Sequence, residues 1–223
     1  MKFCHKKSAN IFFIFYVLSY SVLSFAEIPW EGKDLEGKIC LGSGFGYGPY
    51  DYKVASSHRI TIVTGAHFTP DVARLKKSKT GSIVGDIDYT LRALPNYHPA
   101  LYSLIQLYFQ DPKRYKRWYR SKKVPPPECY LKRAIRYKSS EYETYSLYGF
   151  YLHKRKKYKL AEKQYQEGFK KNRRSTEARY NYALMLIELK RYEDARKQAK
   201  LAYKYGYPLQ GLKRKLKKLG YSL

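Results

Sequence analysis

The chain has 223 residues, with 45 Lys+Arg against 18 Asp+Glu and a formal net charge of +27. A hydrophobic share of 44% excludes wholesale disorder despite that charge, and this length builds one ordinary core or two small ones. Three Cys and five His leave little room for a multi-ligand metal cluster.

Residues 1–26 read as a secretory signal. Lys2, Lys6 and Lys7 form a basic start, 11–23 is an uncharged apolar run, and Ser24-Phe25-Ala26 sets small residues for cleavage after Ala26. The alternative is an uncleaved anchor, but the run is short of the roughly 20 residues that a span needs. Cys4 lies too early for a lipoprotein site. A periplasmic location is therefore expected. Without the signal the chain keeps 42 basic and 18 acidic residues, a net +24, and two Cys, Cys40 and Cys129. An even, small Cys count in a secreted chain suggests one disulfide, with two buried free thiols as the alternative. Cys40 and Cys129 stand 89 residues apart, and closing that loop would stabilise by roughly 4 kcal/mol on the chain-entropy model.

Residues 27–80 are punctuated by Gly and Pro and read as an irregular N-terminal cap. Within it, 59–64 (RITIVT) is the clear strand candidate, and Thr69-Pro70-Asp71 opens a short helix. The run 42–48 (GSGFGYG) invites a dinucleotide-loop reading, but Pro49 blocks the helix that must follow directly. Residues 81–141 carry three weaker helix signals: 86–94 with Asp86 as cap, 99–110 with Pro99 in its first turn, and 128–139 after three Pro. Between the last two lies an insertion, 111–127, dense in cations and aromatics. Its Lys113, Arg114, Lys116, Arg117 and Arg120, beside Trp118 and Tyr119, form a candidate basic-aromatic patch. Such a patch suits acidic peptides, glycans or single-stranded nucleic acid, the last being least available to a secreted protein. A solvated insertion in a Lys-rich chain is the plain alternative.

From 142 onward a period of 34 appears. Gly149 and Ala183 share it, as do Tyr158 and Tyr192, Ala161 and Ala195, Gly168 and Ala202, and Glu143 and Glu177. Each copy reads helix, short turn, helix: 142–156 then 159–171, and 176–190 then 193–205. Two antiparallel helices in a tight hairpin need small residues where their backbones approach, and these positions supply them. Carried back one period, Leu131 and Ala134 align with Tyr165 and Gly168, so 128–139 is the second helix of an earlier unit and 99–110 its first.

A 34-residue period with small residues at repeat positions 8, 20 and 27 resembles the tetratricopeptide repeat (TPR). The copy 176–209 is the better match, while 142–175 departs at Tyr145 and Arg173, where the family usually has Trp and Pro. Segments such as YGPYDY, HFTP and GDIDYTLRALPNYHPAL are also similar to small secreted bacterial TPR proteins of unassigned role. The resemblance implies an all-α fold: a short helical-hairpin solenoid with an irregular, partly β N-terminal cap and a C-terminal capping helix within 210–223. The stretch 208–219 places Leu209, Leu212, Leu216 and Leu219 on one helical face, which would cover the open end of the array. A basic amphipathic helix lying on an anionic membrane is the alternative. The resemblance further implies a partner-binding groove lined by the first helix of each unit, at Ser146, Phe150 and His153, then Tyr180, Leu184 and Ile187, with Lys154 at its edge. The Lys and Asn pattern that clamps a C-terminal carboxylate in some TPR cochaperones is not reproduced.

Recognisable catalytic chemistry is not found. His58, His67, His98 and His153 are scattered, HExxH and GxSxG do not occur, and Asp86-Ile87-Asp88 at a helix start is better read as dipole compensation than as a metal-binding DxD. No catalytic residue, metal ligand or cofactor is assigned. The expected work is non-catalytic: binding a protein or peptide partner in the cell envelope. The second reading is a cationic module for an anionic envelope polymer, glycan or lipid head groups.

Overall fold

The computed structural model describes the backbone of residues 30–223 other than 31, 45 and 123, and the side chains of these other than 114 and 119–122. The predicted signal, 1–26, and its cleavage site lie outside the described residues. The helices, in order, are α1 Ser57–His67, α2 Pro70–Ala73, α3 Ile83–Ala93, α4 His98–Gln110, α5 Pro112–Lys122, α6 Pro127–Tyr137, α7 Tyr142–Lys154, α8 Tyr158–Lys171, α9 Thr176–Glu188, α10 Tyr192–Lys204 and α11 Gly211–Lys218. None among the described residues is long and apolar enough to cross a membrane.

The 34-residue period is structural. α7 and α8 form one hairpin, and α9 and α10 form the next. Even the turns repeat. Lys156 and Lys190 hold the left-handed conformation, at φ 56° and 59°. The following amide returns to the helix in both cases, Lys157 N–H to Leu152 O at 2.9 Å and Arg191 N–H to Leu186 O at 2.9 Å. This six-to-one bond caps the helix and reverses the chain. Ala161, Ala183, Ala195 and Ala202 are fully buried where the helices meet. At Gly149 a Cβ would come within 2.9 Å of the Tyr165 ring, so the absence of a side chain is what lets Tyr165 fill the layer between α7 and α8.

One contiguous core runs from Phe68 and Val72 to Leu212 and Leu216. The first helices of successive units, α4, α7 and α9, pack side by side, while α6, α8 and α10 stack behind them. At the far end α11 docks on α9 and α10. Its Leu212 and Leu216 are fully buried, so its apolar face is used in closing the array. Leu209 and Leu219 fall outside this helix and are exposed, which narrows the expected four-leucine face to two.

Three local expectations are corrected. The stretch 59–64 is helical, within α1, and among the described residues the cap's β content is an isolated bridge between Lys33 and Ile39. Ser56 caps α1, and residues 60, 63, 64 and 67 form its inner face at helical spacing. Val63 packs with Ala93 and Leu94 of α3, and that contact outweighs the β preference of the Ile, Thr and Val run. Next, α3 starts at Ile83 with Ser82 as its cap, so Asp86 lies inside the helix. There it accepts from the amides of Lys79 (2.7 Å) and Thr80 (3.3 Å) and meets His67 at 3.3 Å. Asp88 accepts from Tyr130 Oη at 2.6 Å and pairs with Arg92 at 3.0 Å. Both carboxylates are buried with protein partners. Finally, the insertion 111–127 contains α5, a helix whose Tyr115 is buried, its hydroxyl donating to Pro125 O at 2.8 Å.

The N-terminal cap is fastened at several points. Cys40 and Cys129 are bonded, with Cα atoms 5.6 Å apart. Trp30 stands edge-on to Tyr130 at 4.8 Å, and the Arg133 guanidinium lies 5.0 Å from the Trp30 ring centre. Glu128 is fully buried beneath them, accepting from Leu35 N–H at 2.9 Å and from the Tyr151 hydroxyl. Arg155 joins the same cluster, donating to Tyr108 Oη at 2.6 Å and to Glu36 at 2.6 Å.

Candidate functional site

The principal cavity follows from this packing. A groove of about 800 Å³ opens along the N-terminal halves of α4, α7 and α9. His98, Pro99 and Tyr102 come from α4, and Tyr142, Glu143, Ser146, Leu147 and Phe150 from α7. Ser175, Thr176, Glu177, Tyr180 and Asn181 come from the start of α9, Tyr207 and Leu209 from the segment before α11, and Tyr52 from the cap. The helices present these side chains from a rigid frame, because their opposite faces are locked in the core. Tyr102 and Phe150 approach across α4 and α7 with ring centres 6.3 Å apart, and Tyr180 and Tyr207 pair at 4.4 Å.

Of the groove residues expected from sequence, Ser146, Phe150 and Tyr180 line this cavity. Ser146 spends its hydroxyl on Tyr142 O at 2.9 Å, so its role there is spacing. The other four lie outside the lining. His153 is buried, 3.1 Å from Glu188 of α9, and burial lowers its pKa despite that carboxylate. Ile187 is buried in the core and Leu184 packs against it. The Lys154 ammonium lies 5.9 Å from the Phe109 ring centre. α11 lies against α9, and the residues lining the groove come mainly from the N-terminal halves of α4, α7 and α9. Sequence reasoning missed Glu143, Leu147, Glu177 and Asn181, though one turn more of the same repeat register would have found them. Tyr52 comes from the non-repeating cap, and Tyr207 and Leu209 from the end of the copy 176–209, after its second helix, where no groove position was expected.

One end of the groove holds a polar cluster. Tyr52 Oη lies 2.9 Å from His98 Nδ1, while His98 Nε2 faces Thr144 Oγ1 at 3.0 Å and Glu141 Oε2 at 3.2 Å. With the phenol donating to Nδ1, the ring proton resides on Nε2. Lys53 bonds Glu143 at 2.8 Å, and Asn96 donates to Glu141 at 3.0 Å and to Asp51 at 2.8 Å. Burial dominates at His98 and pushes its pKa down to about 4. Glu141 is raised, also by burial. A His held neutral in the fold but free to charge in the unfolded chain loses stability as pH falls from 6.5 towards 4. The limit is about 3 kcal/mol for a shift of that size, and proton uptake by Glu141 in the fold offsets part of it. Urea melts at pH 7 and pH 4.5 should therefore show a larger acid loss in the native chain than in His98→Gln. Equal losses would remove His98 from the account.

The basic-aromatic patch is only partly a surface. Lys113, Lys116 and Arg117 are exposed on α5, and Trp118 packs half-buried against the core. The side chains of Arg114, Tyr119 and Arg120 lie outside the described residues. Among the described residues no group of His, Cys, Asp and Glu could hold a metal ion.

Repeating hairpins in a 34-residue register, with their first helices side by side along a groove, decide the architecture. The array is TPR-like. No family model matches the sequence, and no curated protein matches it. Among solved structures, the chain is similar to YrrB, described as a TPR protein with an unusual peptide-binding site. The identity is 18%, covering 69% of this chain and 70% of that one, with a TM-score of 0.41.

Proposed function

We propose that this TPR-like chain is a non-catalytic periplasmic protein that holds a peptide segment of a partner protein in the groove between α4, α7 and α9. The observation that carries the reading is the groove itself: about 800 Å³, within the range of specific ligand sites, and walled by aromatic side chains from the first helices of three successive units. Aromatic anchors on rigid elements bind at low conformational cost, so a few central residues should dominate. The periplasmic reading draws on the signal at 1–26 and on the Cys40–Cys129 bond, since such bonds persist in oxidising compartments.

A crosslinking pull-down from the envelope tests the groove. Tyr180→Ala and Phe150→Ala should each weaken partner capture by roughly 10-fold or more, the size of a hot-spot loss, with the helical circular dichroism signal intact. The competing surface is α5, where exposed Lys113, Lys116 and Arg117 favour an anionic polymer, either glycan or lipid head groups. Replacing Arg114, Arg117 and Arg120 with Ser removes three cations from the α5 sequence without touching repeat positions. If the triple variant loses the partner and Tyr180→Ala does not, the groove reading is wrong. Polymer binding would also weaken steeply with salt, because it acts through many screened charges.

A further inference from the structure

Building on that reading, we propose that the groove selects a cationic segment: an extended peptide in which Lys or Arg neighbours a large apolar or aromatic side chain. The chain carries 45 Lys+Arg, yet none of them lines the groove among the described residues. What lines it instead is electron-rich. Tyr102, Phe150, Tyr180 and Tyr207 are among its lining residues, and the ring faces of such aromatics attract cations through their quadrupoles. Glu143 and Glu177 stand in the first turns of α7 and α9.

The two carboxylates differ. Glu143 is paired with Lys53 at 2.8 Å. Glu177 is exposed, and no described cation lies within ion-pair distance of it. The helix N-terminus beside it supplies about half a positive charge, which offsets a carboxylate without cancelling it. A Lys or Arg entering the groove would meet Glu177 and a ring face together. An Asp or Glu entering the same space would find Lys53 already held by Glu143, and would be desolvated against like charge and aromatic rings. The exterior charge of the chain acts against a basic ligand at distance, but at physiological salt that field fades within about 8 Å. Contact chemistry in the groove then decides selectivity. This preference is opposite to what the overall charge would suggest.

Two fluorescein-labelled dodecapeptides test the proposal, both alternating Phe, Leu and Tyr with a charged residue, Lys in one and Glu in the other. Anisotropy titrations use the full disulfide-bonded chain at 0.15 M salt. The Lys peptide should bind, lose about 10-fold on Glu177→Lys, as expected for swapping one attractive contact for a repulsive one, and lose affinity on Tyr180→Ala. Glu177→Gln should give a smaller loss in the same direction. A Glu peptide that binds more tightly than the Lys peptide and weakens on Tyr180→Ala would overturn the charge preference while leaving the groove as a peptide site. If Tyr180→Ala affects neither peptide, both the preference and the groove reading fail. Circular dichroism of each variant checks that the helices persist.

Discussion

Ala195→Arg should abolish cooperative unfolding of the array. Ala195 is fully buried where α10 meets α9, and its equivalent one repeat earlier, Ala161, is equally enclosed. A guanidinium there either breaks the α9–α10 contact or remains desolvated with no carboxylate partner. Burying an unpaired charge and overfilling a packed layer each cost several kcal/mol. The combined loss should reach at least about 4 kcal/mol, a large share of the roughly 5–15 kcal/mol that holds a typical domain. The damage should spread, because α9 also supports α7, α8 and α11. Ala183→Arg should behave alike. A broadened or missing denaturation transition with reduced helical signal is the expected result. A folded Ala195→Arg protein with an unchanged midpoint would contradict the hairpin register.

Opening the Cys40–Cys129 bond should give the second large effect. The bond closes an 89-residue loop and ties the irregular cap to α6. On the chain-entropy model a loop of this length contributes about 4 kcal/mol by restricting the unfolded chain. Among the described residues, the non-covalent ties across the same junction include Trp30 on Tyr130 and Arg133, Lys33 on Lys132, Leu35 on Glu128, and Glu36 on Arg155. Cys40→Ser, or reduction, should lower the melting temperature by roughly 10 °C. Removal of the bond also exposes the region around buried Glu128 to water, so the cap should become the first segment to exchange its amides. Mass spectrometry of the non-reduced protein should find no free thiol at Cys40 or Cys129. Two alkylated thiols in folded protein purified from the envelope would refute the bridge.

The repeating half of the chain was the legible half. Positions such as Gly149, Ala161, Ala183 and Ala195 are small because two helix axes pass close there, and that demand recurs at one fixed spacing. Periodicity of this kind is local, so it survives in the sequence, and α7 to α10 lie within three residues of their expected bounds. The Cys40–Cys129 pairing was legible for a different reason: two cysteines allow one intramolecular bond.

Only the tertiary structure decided the rest. The stretch 59–64 became α1 because Val63 found Ala93 and Leu94, a contact that no local preference encodes. Tyr115 of the cation-rich insertion turned inward on α5, where its ring packs beside Tyr108. Most consequential is which half of the first helices stays open. By repeat position alone, His153, Leu184 and Ile187 were as eligible as Ser146, Phe150 and Tyr180. The opening lies mainly at the N-terminal halves, where Tyr207 and Leu209, from the segment leading into α11, join its lining. The hairpins follow from a spacing written into the chain. The groove also needs Tyr52, Tyr207 and Leu209, which meet the first helices only through contacts between separate segments and are therefore absent from any local pattern.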